Sequence, residues 1–504
     1  MKERSGFLFR FRFAIALAVS LLAAYSLAYD GRILGSGDEI IRYLMMDNLC
    51  QGRGFLAEYA DRDGALRVYG SQRIPKFGFL HPLLAAPLRL LSCAGHDPSR
   101  FAESDLQSAD GVPVHRRAVG FVLWLNPLAA ALLGVAFYHC GRTLGYSQRC
   151  CYVAALMLGL CTIVLAYTPL FFTEIVSAFF LMLAYGMALQ RGGSKVWLCG
   201  LFAGLLVSNN ALFLFALPVL ALYVMWGVRG GGRGLVLGLF SLGCAVGLSL
   251  FFLGLAARGS SGYEKELGFI TPLAVGLFGL LLSPGKSFFL FSPIALLGAV
   301  GFRTLLRSHR GPAILALCLA VPQLLIYAKW CNWAGGTCWG PRFLIPAVPL
   351  VMLGMFPLLS AAHTRGRLAV GFVGSVALLS FVVQFSATFA PAYAWFHYAS
   401  SRLNVQMGDN RFAQRGIDDP LLVFQTSVPY FPEYCPPYHQ LRAFGEILRQ
   451  GDLEAIPAKW VREKRIVWGL AALGTILGCS IWVLRGNGRE RSDCERQPRR
   501  ETSQ

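Results

Sequence analysis

Asp38 and Glu39 stand just past the first hydrophobic segment, in Ser36-Gly37-Asp38-Glu39, ahead of an apolar run (Ile40, Ile41, Leu44, Met45, Leu49) at helical spacing. Ser36 followed three residues later by Glu39 is a capping box, so a helix is predicted to begin here, and Gly52 is predicted to stop it. A carboxylate in a first helical turn meets free backbone N–H groups and the positive end of the helix dipole, which favour its anionic form. Asp38 is thereby placed as a base at a membrane interface. The plainer alternative is a solvated surface acid.

Other charged residues recur at the edges of apolar segments. Lys76 lies in Pro75-Lys76-Phe77-Gly78-Phe79-Leu80-His81-Pro82. Glu174 is the only acid between residues 117 and 256, and a carboxylate inside the membrane is costly enough to read as functional by default. Its alternative is a Glu hydrogen-bonded to nearby serines or backbone. Lys286, in Ser283-Pro284-Gly285-Lys286-Ser287, lacks the full GxxxxGK[ST] pattern of a nucleotide phosphate loop. It is read as a lipid-phosphate contact, against simple snorkelling. The segment from Lys329 through Trp330, Trp333, Gly335-Gly336 and Trp339 to Arg342 joins tryptophans, a flexible turn and two cations at the bilayer edge. It reads as a ligand-presenting turn or as an aromatic belt.

These residue types suit group transfer from a phosphate leaving group. Attack by an acceptor hydroxyl needs a base, and departure of a lipid phosphate needs cations around the developing charge. Asp38 supplies the first, and Lys76, Lys286 and Arg342 supply the second. Glu39 and Glu174 are then left to orient the acceptor or bind a divalent cation, Mg or Mn. Fourteen cysteines are scattered with no CxxC or His-Cys cluster, so no structural metal site is expected. Cys331 and Cys338 are close enough in sequence to permit a disulfide.

The elements that must position these groups are membrane helices. A chain of 504 residues that is 55% hydrophobic and 14% charged is too apolar for an ordinary soluble protein. About twelve spans (11–13) are expected, at roughly 12–29, 117–138, 150–167, 171–189, 196–208, 210–226, 235–256, 273–302, 312–328, 342–359, 368–389 and 466–484. Short helices near 37–51 and 82–93 suit the membrane surface. The stretch 273–302 is interrupted at Pro284–Lys286 and is predicted to cross once, with the break near the outer face.

Acid-free loops bearing Arg142 and Arg149, Arg191 and Lys195, Arg229 and Arg233, Arg303, Arg307 and Arg310, and Arg365 and Arg367 alternate along the chain. The bias of Lys and Arg makes them cytoplasmic, together with both termini. Lys459, Arg462, Lys464 and Arg465 run against that rule from within a long loop, where the rule is weak. The net charge of +19 therefore reflects topology and anionic lipid, with no nucleic-acid partner expected. Two large excursions, 30–116 and 390–465, fall outside the cytoplasm, followed by a last span at 466–484 and a basic tail at 485–504.

Taken together, residues 12–390 resemble the GT-C glycosyltransferases, which transfer sugars from polyprenyl-phosphate donors and include protein O-mannosyltransferases and lipid A aminoarabinose transferases. The resemblance rests on the Asp-Glu pair after the first helix, a Lys before a Leu-Leu stretch, an acid after the third span, and the Ser-Pro-Gly-Lys and Trp-x-x-Trp-x-Gly-Gly…Trp-Gly-Pro-Arg patterns. It implies an all-α polytopic enzyme in which a module spanning 1–389 is catalytic, Asp38 is the base and Lys76 holds the donor phosphate. Its expected partners are a polyprenyl-phosphate-sugar donor, membrane lipids, and a glycan, lipid or protein acceptor in the envelope outside a bacterial inner membrane. His81, Lys329, Trp333 and Trp339 are expected to line the substrate cavity. The excursion at 390–465 lacks a clear acceptor-binding domain, and a transporter or flippase of lipid-linked sugars is the competing reading.

Overall fold

The computed structural model describes residues 2–29, 37–52, 54, 77–93, 121–190, 192–226, 228, 232–258, 268–336, 338–389, 435–438, 474, 475 and 478. Ser36, Lys76, most of the two polar excursions and nearly all of the 466–484 span lie outside the described residues. Among those described, the elements are helical without exception. Four helices, at Phe11–Ala28, Gly232–Ala257, Arg310–Lys329 and Arg367–Thr388, are long and apolar enough to cross a membrane. The helix pair Arg342–Met352 and Met355–Arg365 is long and apolar enough only when taken together and is bent by 48° at its junction, and several apolar helices are shorter. This is an all-α membrane protein, as expected.

Helix α1 (Lys2–Ala28) packs antiparallel to α4 (Leu125–Thr143) and parallel to α5 (Gln148–Leu160). The pairings run from Tyr29 on Trp124, through Leu21 on Gly134, to Phe13 on Tyr138, while the Tyr25 hydroxyl donates to the Gly159 carbonyl. A short turn of helix, α6 (Val164–Tyr167), leads into α7 (Glu174–Gln190), which descends beside α8 (Gly193–Asn209). After α9 (Ala216–Met225), α10 (Gly232–Arg258) climbs parallel to α8. Gly200, Gly204, Gly243 and Gly247 let those two backbones touch, since a Cβ on any of them would lie within 3 Å of the opposing main chain. Ser208 closes the pair, its hydroxyl donating to the Gly247 carbonyl at 2.7 Å.

The interrupted stretch resolves into α11 (Leu273–Leu281), a turn at 282–287, α12 (Phe288–Phe291) and α13 (Ile294–Ser308). Its start meets the end of α14 (Arg310–Lys329), where the Thr271 N–H donates to the Lys329 carbonyl, and its end turns into the start of α14. The segment therefore makes one pass with a corner at Pro284–Lys286. A 3-10 turn (Arg342–Ala347), α15 (Val348–Met352), α16 (Met355–Arg365) and α17 (Arg367–Phe389) complete the bundle.

This alternation sorts the ends. Arg142, Arg149, Lys195, Arg233, Arg307, Arg310, Arg365 and Arg367 cluster at the turns of one end, which Tyr146 and His309 tie together with rings 5.5 Å apart. The opposite end gathers the N-termini of α4, α7 and the 3-10 turn with the C-termini of α8 and α14. Above them sit α2 (Gly37–Cys50) and α3 (Leu80–Cys93), pinned to each other by Arg89 and Asp47 at 2.9 Å. Gly52, with φ +73°, follows α2 and its N–H donates to the Leu49 carbonyl, the stop read from sequence.

Candidate active site

The arginine-poor end of the bundle builds its site on one short stretch, Leu170 to Thr173, which hands the chain into α7 at Glu174. Backbone groups here leave a helix unpaired and buried, so side chains must satisfy them. Asn126 at the start of α4 donates its amide to the carbonyls of Leu170 and Phe172. Asn209 at the end of α8 donates to the Thr173 carbonyl at 3.0 Å and to the Ser177 hydroxyl at 2.8 Å. Glu39 accepts the Phe171 N–H at 2.7 Å from a fully buried position. Three elements thus clamp the peptide that aims Glu174, whose place at a helix N-terminus suits an acid.

Arg342 is the hub. Its Nη2 donates to Asp38 Oδ2 at 3.0 Å, and its Nε lies 3.8 Å from Glu174 Oε1. Phe172 and Phe343 flank the guanidinium, each 4.9 Å from ring centre to Cζ, so the cation is stacked as well as paired. Side-chain exposure is 11% for Arg342, 6% for Glu174 and 30% for Asp38, so the pair opens outward on the Asp38 side. Glu174 Oε2 is buried with no hydrogen-bond partner among the described residues. A buried carboxylate oxygen left this way calls for a donor from a ligand or water.

The segment that carries Arg342 is held from beneath. Gly335, Gly336 and Gly340 take φ values of +71°, +77° and +56°, a left-handed path that explains glycine at these turns. Lys286 Nζ donates to the carbonyls of Gly336 at 2.9 Å, Cys338 at 2.6 Å and Gly340 at 3.3 Å, and is 3.3 Å from the Cys338 thiol. The Tyr167 hydroxyl donates to the Trp339 carbonyl at 2.7 Å.

Several residues expected at the site are enclosed by other protein groups. Lys286, expected at a donor phosphate, is 2% exposed and has its ammonium enclosed by main-chain carbonyls. Glu39, expected among the catalytic acids, instead shapes the 170–173 peptide. Trp333 and Trp339, expected to line the substrate cavity, are each 4% exposed, the first packed on Gly279 and the second edge-on to Phe291 at 4.8 Å. They are large apolar surfaces, and packing claims them. Lys329 ends α14 half-buried, its carbonyl tied to Thr271. Cys331 and Cys338 are free thiols. Lys76 falls outside the described residues.

Arg42 and His81 complete the surroundings. Arg42, absent from the sequence-based site, is 5% exposed, stacks over Phe77 at 4.1 Å and donates to the Asp38 carbonyl at 3.0 Å. Its position one helical turn after Asp38 was the available signal. His81, in the first turn of α3, lies edge-on to Phe171 with ring centres 4.5 Å apart. Both of its ring nitrogens are buried, and among the described residues neither makes a hydrogen bond of good geometry, although Asn126 and the Phe172 backbone lie close enough to raise its pKa slightly against the burial. Burial, reinforced by the Arg42 charge, lowers its pKa to about 3, so the ring is a neutral imidazole.

The acids among the described residues do not by themselves form a divalent-cation site. Arg342 already occupies the space between Asp38 and Glu174, and among the described residues no group of three His, Cys, Asp or Glu side chains converges. No step below is routed through a metal.

No family model and no curated protein matches the chain. Solved structures similar to it include ArnT from Cupriavidus metallidurans in the apo state, with 14% identity and a TM-score of 0.48 over 87% of this chain and 78% of that one. The same protein bound to undecaprenyl phosphate is similar at 14% identity and a TM-score of 0.45 over 86% and 79%. The apo oligosaccharyltransferase of Archaeoglobus fulgidus is similar at 14% identity and a TM-score of 0.45, over 77% of this chain and 58% of its own length. The functional reading stands on the geometry of the site.

Proposed function

We propose that the chain is an integral-membrane glycosyltransferase that moves a sugar from a polyprenyl-phosphate-linked donor to an extracytoplasmic glycan, lipid or protein. The observation that carries this reading is the Asp38–Arg342–Glu174 constellation. A stacked, almost buried guanidinium is shared by two carboxylates, one of them partly open and the other with an unpartnered buried oxygen. It lies at the end of the bundle remote from the arginine-rich turns, and the bias of Lys and Arg supports a cytoplasmic place for those turns and for both termini.

The chemistry follows from the residue types. An acceptor hydroxyl attacks the anomeric carbon, its proton passes to the Asp38 carboxylate, and the bond from that carbon to the donor phosphate breaks. The electron pair leaves on the phosphate oxygen of the polyprenyl phosphate. Arg342 meets that growing charge, and a planar guanidinium can hold phosphate while keeping a carboxylate partner. Lys76 is placed with it by the sequence resemblance. Glu174 Oε2 accepts from a neighbouring hydroxyl of the acceptor, or from a water beside it, and so orients the attacking hydroxyl, whose own proton faces Asp38. Because the leaving group is already an ionised phosphate ester, a single base suffices.

A flippase would use the same cationic end without breaking a bond. The groups of the site, Asp38, Glu174 and Arg342, lie at one end of the bundle, whereas alternating access places a site near the membrane midplane. Purified protein in detergent, given a panel of undecaprenyl-phosphate-linked hexoses and pentoses with cell-envelope lipid extract, should release undecaprenyl phosphate. Transport of intact donor across proteoliposomes with no release in detergent would overturn the transferase reading.

A further inference from the structure

The buried lysine at the corner of the interrupted span has no role in the chemistry above, yet it is among the most completely enclosed cations in the structure. We propose that Lys286 is a positioning residue, whose ammonium gathers the carbonyls of Gly336, Cys338 and Gly340 and so fixes the loop that presents Arg342 to Asp38 and Glu174. An ammonium has three protons, and three carbonyls lie within hydrogen-bond distance of it, so none is left to point at a ligand.

The root of the clamp is rigid. The Lys286 N–H donates to the Ser283 hydroxyl at 3.1 Å, and that hydroxyl donates to the Gly279 carbonyl at 2.6 Å. Ser287 donates to the Leu281 carbonyl at 2.6 Å and accepts the Leu290 N–H, capping α12. The turn between α11 and α12 is therefore pinned at both ends. The clamped loop, by contrast, contains glycines with φ +71°, +77° and +56°, so it has many conformations to lose. Its far end is Arg342, whose hydrogen bond to Asp38 is set by the path of the two preceding residues. Gly335 packs against the Arg342 stem, since a Cβ there would lie 3.1 Å from its Cγ. Displacing the loop displaces the guanidinium.

This inference rests on the proposed transfer site for its kinetic consequence, whereas its structural readout does not. The structural readout is alkylation of Cys338 by N-ethylmaleimide in the full chain in detergent, followed on its own peptide by mass spectrometry. The Cys338 thiol sits against Lys286 Nζ and the Gly335 carbonyl, at 3.3 and 3.2 Å. In Lys286→Met its alkylation should accelerate at least about tenfold, as expected when charge-assisted bonds closing a loop are removed. In the transfer assay kcat should fall about ten- to a hundredfold, with donor KM changed less than about twofold, because a displaced group loses transition-state contact. In an Arg342→Ala background, Lys286→Met should cost nothing further.

Gly336→Ala guards against a Lys286 variant that fails to fold. A Cβ there has open space but a left-handed backbone that strains it, so the loop is perturbed with every charge retained. It should reproduce both the faster Cys338 alkylation and the kcat loss. Unchanged alkylation in both variants would overturn the proposal. So would losses from Lys286→Met and Arg342→Ala that multiply, together with weaker undecaprenyl phosphate binding by Lys286→Met in the Arg342→Ala background, which is the behaviour of a direct phosphate contact. If Cys338 becomes reactive as expected while the wild-type protein transfers no sugar, the clamp stands and the transfer reading fails.

Discussion

Replacing Arg342 by Ala removes one hydrogen bond at 3.0 Å to Asp38 and an ion pair at 3.8 Å to Glu174. It also empties the space between Phe172 and Phe343. A charge-assisted contact to a phosphate contributes about 1.5–3 kcal/mol, and at about 1.4 kcal/mol per tenfold the loss in kcat/KM is roughly 10- to 150-fold. The fall should lie mainly in kcat, because the interaction strengthens as the leaving phosphate gains charge. Stability should drop as well. Breaking a buried pair costs about 3–5 kcal/mol, but Asp38 is 30% exposed, so about 1–3 kcal/mol is the reasonable range here. Arg342→Lys separates the contributions: it keeps a charge but cannot reach both carboxylates or stack between the rings, and should fall between wild type and Ala. The assay is steady-state transfer from an undecaprenyl-phosphate sugar, with thermal unfolding in detergent alongside. Values of kcat and KM within about twofold of wild type in Arg342→Ala would refute the assignment of Arg342 to the leaving group.

Glu39→Ala and Asn126→Ala should each lower the unfolding midpoint, since buried peptide groups of residues 170–173 lose their partners at about 1–3 kcal/mol; Glu39→Gln, which keeps an acceptor, should be milder. His81 has a folded pKa near 3 against 6.5 in the unfolded chain, so the unfolded state binds the extra proton between those values. Stability from this group is full above pH 6.5 and is lost as pH falls toward 3, by at most about 1.4 kcal/mol per pH unit. His81→Leu should flatten that acid limb in unfolding measured from pH 7 to 4, and an unchanged slope would refute the neutral-imidazole assignment. Topology is checked by labelling introduced thiols on intact cells. Gln51→Cys, at the site end, should react with an impermeant maleimide and Ser308→Cys, among the arginines, should not; the reverse pattern would invert the orientation.

Asp38, Glu174 and Arg342 could be singled out in the sequence because a charge at a membrane edge or inside an apolar segment is expensive wherever it points. Their partnership could not be, since Arg342 and Asp38 are 304 residues apart and nothing local encodes the contact. The corner at Pro284–Lys286 was legible from its breaker residues, and α2 from its apolar spacing. For Lys286 the sequence shows a cation beside an interface, but not the three carbonyls that a glycine-rich loop folds around it. The burial of Trp333 and Trp339 was no more legible, because tryptophan serves an aromatic belt and a packed core equally well. Asn126, a lone polar residue in an apolar run, and Asn209, inside Ser208-Asn209-Asn210, went unnoticed, and only the fold shows the unpaired carbonyls they serve.

The central claim is that Asp38 takes the proton of the attacking hydroxyl. It is tested most directly by single-turnover sugar transfer in Asp38→Asn at saturating undecaprenyl-phosphate donor, beside the affinity of the same protein for undecaprenyl phosphate. The amide keeps the shape of the side chain and an oxygen for Arg342 but is a very poor base. Transfer should slow about a hundred- to ten-thousandfold while the protein stays folded and binds undecaprenyl phosphate within about tenfold of wild type. Transfer by Asp38→Asn at a near-wild-type rate would contradict the account.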